Sequence, residues 1–357
     1  MGNCILKSKT RSTKIYGAEW DGNSSPVWRR TDEAKLLANP SPAVNNGNGS
    51  SPFDTIQPWA GLIREERTGG TMVKIPKYWY KWTRDGTKMK LQISASPITG
   101  FFVSPAHADR GDGSGERDYV YVGAYHCADT TYKSTTGVLP QLNKTRAEFR
   151  TAIHNLGANI WQYDFAMFWT IAMLYLVEYA HWNEQDKIGY GCGNNTAVEN
   201  SGLCDNMQYH TGTNATIRHE YGHIRYRYIE GLWDNALDYI DGIYFSGNNV
   251  YCIKNPTDFS DNSGGTLVGQ RNTTVGYITA MTNPTAQGFE YALFPNAVGG
   301  SNGTYMCDQQ STAYNGTVLC TGASYGQKLA RGLFAFDDAK IDTSTGNYMG
   351  ARIMELP

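Results

Sequence analysis

Charge is scarce in this 357-residue chain: Lys, Arg, Asp and Glu make up 18% of it, against roughly 25% in ordinary globular proteins. The two signs nearly cancel, leaving a formal net charge of -2 and no basic surplus of the kind that holds nucleic acid or an anionic membrane. Long apolar runs are lacking too. The longest, Phe165 to Val177, lies between Asp164 and Glu178 and is too short to span a bilayer, so no membrane insertion is expected. Met1 to Ser12 is polar and basic with no apolar stretch, so no secretory signal is expected. Met1-Gly2-Asn3-Cys4 fails as a myristoylation site because Leu6 stands where Ser or Thr is required. The seven cysteines (Cys4, Cys127, Cys192, Cys204, Cys252, Cys307, Cys320) include no Cys-x-x-Cys pair. Cys192/Cys204 and Cys307/Cys320 each close a short loop that a disulfide could span; without a secretion signal, free buried thiols are the expectation. A phosphate-binding loop, a dinucleotide fingerprint and a Gly-x-Ser-x-Gly elbow are all missing.

What is abundant is Gly (39) and Tyr (24), with aromatics at 13%. Tyr, Gly, Ser and Asn are the residues of antibody-like binding surfaces, which combine rigid aromatic contacts with adaptable hydrogen bonding. A loop-rich β protein has the same composition, so both readings stay open at this level. The length suits one large or two ordinary domains with a sizeable core.

Local signals are clear in places. Ile15 to Trp20 and Val27 to Thr31 are strand-like, and Asn39 to Pro52 is a Pro, Asn, Gly and Ser loop. Tyr78 to Trp82, the Asp85-Gly86 turn and the alternating Lys88 to Ile93 predict a hairpin. Asp109 to Arg117 is a predicted flexible loop carrying Arg110-Gly111-Asp112, a triplet too short to argue integrin binding, and Asp118 to Gly123 is a predicted strand. Thr145 and Glu148 form a capping box ahead of Phe149, Ala152, Ile153 and Leu156, with Gly157 at the end. A second helix starts at an Asp164 cap and is apolar nearly all round, which predicts a buried central helix. Lys187 to Ala215 reads as loop, while Trp233, Leu237 and Ile240 fall at helical spacing and are predicted core. At the C-terminal end, apolar Gly332-Leu333-Phe334 and a strand through Tyr348 to Leu356 bracket two loops with no packing pattern.

Three sets of residues suggest chemistry. His219-Glu220-Tyr221-Gly222-His223 matches a zinc-peptidase spacing, but that motif needs a helix. Here Gly222 interrupts it, Ile224 to Ile229 alternates like a strand, and no His follows as a third ligand. Two surface histidines are the expectation. Cys307 and Cys320 are the candidates for a reactive thiol pair, with buried inert cysteines the commoner fate. Asp258, Asp261 and Asn262, or Asp337 and Asp338, match no ordered calcium loop and are expected to be solvated loop acids. No catalytic residue, metal or cofactor is therefore assigned.

The C-terminal stretch, with Gly332-Leu333-Phe334 ahead of Gly350-Ala351-Arg352, resembles the C-type-lectin-fold variable proteins of diversity-generating retroelements. These are phage and bacterial receptor-binding proteins with a core like that of formylglycine-generating enzymes. The helix pair within Thr145 to Ala180 is similar to the same proteins. Arg225 to Ile243 resembles their Glu-x-Leu-Trp-Gly-Asn-x-x-Glu-Trp signature: Glu230, Leu232, Trp233 and Asn235 are kept, Asp234 replaces Gly, and Asp238-Tyr239 replaces Glu-Trp. Ile15 to Ala34 resembles the opening of phage tail-associated proteins.

The resemblance implies an α+β, C-type-lectin-like fold with two helices, short antiparallel strands and long loops. It also implies a small β-rich attachment segment at 1–70 and a ligand-binding domain at 71–357, with a variable module at about 319–357. The implied ligand-binding face is Ser324, Tyr325, Gly326, Gln327, Lys328 and Ala330, then Ala335, Phe336, Asp337 and Asp338. Relatives are Asn- and Trp-rich there, and a diversified surface departs in this way. The implied function is non-enzymatic: a virion protein at a phage tail tip, binding a bacterial surface protein or glycan, contacting other tail proteins and forming a homo-oligomer such as a trimer. An enzyme on the same fold and an invariant particle protein are the alternatives.

Overall fold

The computed structural model describes residues 13–357; the readings made on Met1 to Ser12 and on Cys4 lie outside them. Two of the helices begin where their caps demand. The Thr145 hydroxyl accepts the N–H of Glu148 while the Glu148 carboxylate accepts that of Thr145, and this reciprocal pair opens α1 (Arg146–His154). The Asp164 carboxylate accepts the Met167 N–H at 2.7 Å and opens α2 (Phe165–Tyr179). All fifteen residues of α2 are buried, because sheets and loops cover it on every side. Its rings reach outward in several directions: Trp169 to Trp82 and Phe334, Phe168 to Phe336, Phe165 to Phe294, and Tyr175 to Tyr226. At about 1.5–3 kcal/mol for each large apolar side chain removed from water, this helix organises the core. No helix among the described residues is long and apolar enough to cross a membrane.

The fold is α+β and strand-rich. One five-stranded antiparallel sheet carries the predicted hairpin, Trp79–Asp85 with Lys88–Ser94, turning through Gly86 at φ +58°. A second sets Ile353–Glu355, near the chain's end, between Ile160–Gln162 and Tyr119–Gly123. A seven-stranded mixed sheet holds Phe336–Lys340 between Gln309–Thr312 and Val318–Thr321, with Leu237–Ile240 on the far side of the latter. Trp233, Leu237 and Ile240 are core as predicted, but Leu237–Ile240 is a strand and not a helix. The spacing that suits a helix also suits a strand buried on both faces.

The boundary drawn at residue 70 corresponds to no break. Tyr16–Trp20 pairs with Lys88–Ser94, and Ala43–Val44, within the predicted Asn39–Pro52 loop, pairs with Gly212–Thr213. Trp20, Trp28, Phe53 and Trp59 join the same apolar core as α2. Nor are both charged ends of Arg110-Gly111-Asp112 free: Arg110 is buried against Asp164, and the half-buried Asp112 pairs with Arg117.

Candidate functional site

Three irregular segments meet around Gly191-Cys192-Gly193. The first runs from Gly189 to Thr211 without helix or strand. The second is the Asn214–His223 loop, tied to it by the Gly222 N–H on the Gly191 carbonyl at 3.0 Å. The third is Ala323–Arg331, tied by the Lys328 N–H on the Gly193 carbonyl at 3.1 Å and by the Tyr325 N–H on the Asn235 carbonyl at 3.2 Å. The turn at Trp233–Asn235 forms the floor. Gly191, at φ +69°, lies so close that a Cβ there would meet the Asp234 side chain and the Trp233 carbonyl.

On the outside of this cluster, Gly326 and Lys328 are exposed, and Tyr325, Gln327, Leu329 and Ala330 are half-buried. The backbone beneath them is held rather than loose. Gln327 Oε1 accepts the Ser324 N–H at 2.7 Å, and Gln185 Nε2 donates to the Arg331 carbonyl at 2.7 Å. Glu184 and Asp308 then accept the N–H groups of Leu333 and Phe334.

The other half of the expected binding face is interior. Ser324 is buried. Ala335, Phe336, Asp337 and Asp338 are buried as well, because Phe336–Lys340 is an inner strand of the seven-stranded sheet and not a loop. The Phe336 ring lies 5.6 Å from that of Phe168 and 5.1 Å from that of Phe294, so it is a core residue and no aromatic anchor for a ligand. Asp338 is paired with Arg271 at 2.6 Å and accepts the Thr312 hydroxyl at 3.1 Å. Burial lifts its carboxyl to about 6 against the pull of Arg271. Asp337 faces Arg331 and Lys340, each at 3.4 Å. Asp261, read as a solvated acid, instead joins Arg146 and Arg150.

The His-Glu-x-x-His run is not helical and its histidines do not converge. His219 is exposed, stacks on Tyr190 and faces Asp186 at 3.3 Å. His223, expected at the surface, is 3% exposed. It turns inward because its backbone is clasped by Asn214 and Asp234 holds the next N–H, that of Ile224. Its Nε2 meets Glu199 at 2.7 Å, and its Nδ1 lies 3.6 Å from Asp234 Oδ1. Burial alone would lower the imidazole, but Asp234 and Glu199 outweigh it and lift it to about 9. Cys192 lies in the same place, and the N–H of Asn235 points at its Sγ from 2.9 Å. The sequence carries three traces of this cluster. Cys192 reads only as a loop-closing partner of Cys204. His223 was noticed with the wrong partner, and Asp234 was noticed only as a departure from the Glu-x-Leu-Trp-Gly-Asn pattern.

All six described cysteines are free and buried. Burial pushes the thiols of Cys307 and Cys320 up, opposite to the thiolate that copper or redox chemistry uses. A cavity of about 640 Å3 lies elsewhere, beside Tyr16, Leu37, Ile56 and Ser94, and its charged lining among the described residues is Lys14 and Glu33. Set against known proteins, the chain matches no family model and no curated protein.

Proposed function

We propose that this is a non-enzymatic recognition protein, a virion component of a phage tail with a C-type-lectin-like fold, whose exposed Tyr325–Ala330 loop binds a bacterial surface protein or glycan. The observation that carries the reading is the contrast within one short stretch. Side chains at 325–330 reach solvent, while the backbone on either side is held by buried partners. A surface of this kind tolerates changes of side chain without loss of fold, which is what a variable binding site requires. Tyr325 is the rigid aromatic contact, and Gln327 and Lys328 are the adaptable polar ones. The adjoining Asn194, Thr196, Glu199 and His219 are exposed and widen the face. Several copies in a homo-oligomer, seated among other tail proteins, would turn modest single-site affinities into firm attachment.

The test is to sequence this locus and its flanking DNA across many members of the source population. The reading requires substitutions that concentrate at Tyr325, Gln327, Lys328, Leu329 and Ala330, spare Gly332 to Asp338, and match adenines of a nearby template repeat beside a reverse-transcriptase gene. An invariant 325–330 stretch with no template copy would overturn it.

A further inference from the structure

We infer that Cys192, His223 and Asp234 form a three-ligand site for a divalent cation of the zinc class, pinning the Gly189–Thr211 and Asn214–His223 segments to the Trp233–Asn235 turn beneath the exposed loop. The ligand atoms, one from each residue, all lie within 4.8 Å of one another, and all three residues are at least 97% buried. Two polar atoms of the cluster make no hydrogen bond. His223 Nδ1 and Asp234 Oδ1 are buried and have no hydrogen-bond partner. They face each other at 3.6 Å, too far for a hydrogen bond between them. That separation is close to the edge of a zinc tetrahedron, roughly 3.3–3.8 Å for bonds of about 2.0–2.3 Å.

The outer partners are in place as well. His223 turns Nε2 to Glu199 at 2.7 Å and Nδ1 toward Asp234, so a metal that displaced the Nδ1 proton would find that nitrogen already aimed at the site. Asp234 spends Oδ2 on the Ile224 N–H at 2.7 Å and keeps Oδ1 free. Burial and Asp234 push the free Cys192 thiol up, so a metal would have to displace its proton; the Asn235 N–H directed at Sγ from 2.9 Å would then support the bound sulfur. Thiolate, imidazole and carboxylate together select a borderline-soft ion and not calcium or magnesium, which take oxygen ligands. With Cys192 bound as thiolate, that sulfur and the Asp234 carboxylate would carry two negative charges, which a divalent cation neutralises. The fourth position is left to water or a small ligand.

The inference is independent of what the surface above binds. It is tested on the full chain, stripped with a chelator and titrated with Co(II) alone, then Zn(II) alone. The expected result is one equivalent of cobalt with a thiolate-to-cobalt charge-transfer band in the near ultraviolet, displaced by zinc. Cys192→Ser should abolish that band and His223→Asn should abolish stoichiometric binding. Glu199→Gln, at a half-exposed carboxylate, should fold normally and bind about 10–100-fold more weakly. His219→Ala should bind as the parent does, which separates this site from a surface histidine. A parent spectrum without the charge-transfer band, a band that persists in Cys192→Ser, or no stoichiometric binding overturns the inference, leaving His223 as an imidazolium held between two carboxylates. If Cys192→Ser does not fold, the parent spectrum and Glu199→Gln decide.

Discussion

The Glu184 carboxylate accepts the N–H of Leu333 at 2.8 Å, and beside it Asp308 accepts that of Phe334 at 2.8 Å. Two buried carboxyls thus hold one turn; burial raises both above their ordinary values, Glu184 to about 8, and the neighbouring Glu184 raises Asp308 further. The folded state therefore keeps protons that the unfolded state has released. Stability contributed by the pair is fully present below the ordinary carboxylate range near 4.5 and is lost as pH rises toward about 8. Asp54, lowered to about 2 by its bonds to His210 and Tyr209 against the cost of burial, acts oppositely and only at lower pH. Urea denaturation should show a loss on the order of 2 kcal/mol between about pH 5 and about pH 8. Asp308→Asn, which keeps an acceptor for Phe334, should flatten that slope; an unchanged slope would remove the pair as its source.

Gly332 is where those two carboxyls come closest to the backbone. A Cβ there would fall on Glu184 Oε1 and crowd Asp308 Oδ1. Gly332→Ala must therefore expel Glu184 and leave the Leu333 N–H buried without a partner, at about 1–3 kcal/mol for the lost bond alone. Thermal unfolding of this variant against Ala330→Gly, on the half-exposed side of the turn, measures the effect. Equal melting temperatures would show that the close approach is not needed.

Sequence-local features were legible and long-range ones were not. The Thr145–Glu148 box, the Asp164 cap and the Asp85-Gly86 turn are settled by residues no more than a few positions apart, and all are found. Asp337 and Asp338 read as solvated acids because nothing nearby reveals Arg271, brought in from a distant loop to pair with Asp338. The same holds for Arg352 on Asp238 and for Arg146 on Asp261. Half of the expected binding face was lost for this reason. A polar run looks like loop when its partners are remote in sequence, and here it is an inner strand. Cys192, His223 and Asp234 are nearer in sequence but come from separate loops, so their spacing matches no ligand motif.

Arg227 and Glu178 make another fully enclosed pair at the end of α2. The guanidinium donates through Nε at 2.7 Å and Nη2 at 2.6 Å, while the Ser51 and Tyr226 hydroxyls complete the carboxylate's partners. Removing only the cation strands a buried anion. Arg227→Ala should cost about 3–5 kcal/mol in denaturant unfolding. Arg227→Met combined with Glu178→Leu should cost clearly less than the two single changes summed, because the stranded charge is gone. Simple additivity would show that the pair is not coupled.

The sharpest separation of recognition from folding lies between Tyr325 and Phe336. Tyr325 is half-buried, its N–H held by Asn235 and its ring free of the core clusters. Phe336 is wholly enclosed by α2 and Phe294. Tyr325→Ala and Lys328→Ala should leave unfolding within about 0.5 kcal/mol of the parent, since no core contact is lost. Each should weaken binding to intact host cells about tenfold or more if these side chains are contact residues. Phe336→Ala should do the reverse, costing about 3–5 kcal/mol of stability through the cavity it opens, with cell binding by the fraction still folded unchanged. Melting curves and cell-binding isotherms on the same preparations distinguish the two. A Tyr325→Ala protein that melts early would make the loop structural, and one that melts and binds like the parent would move the recognition surface elsewhere.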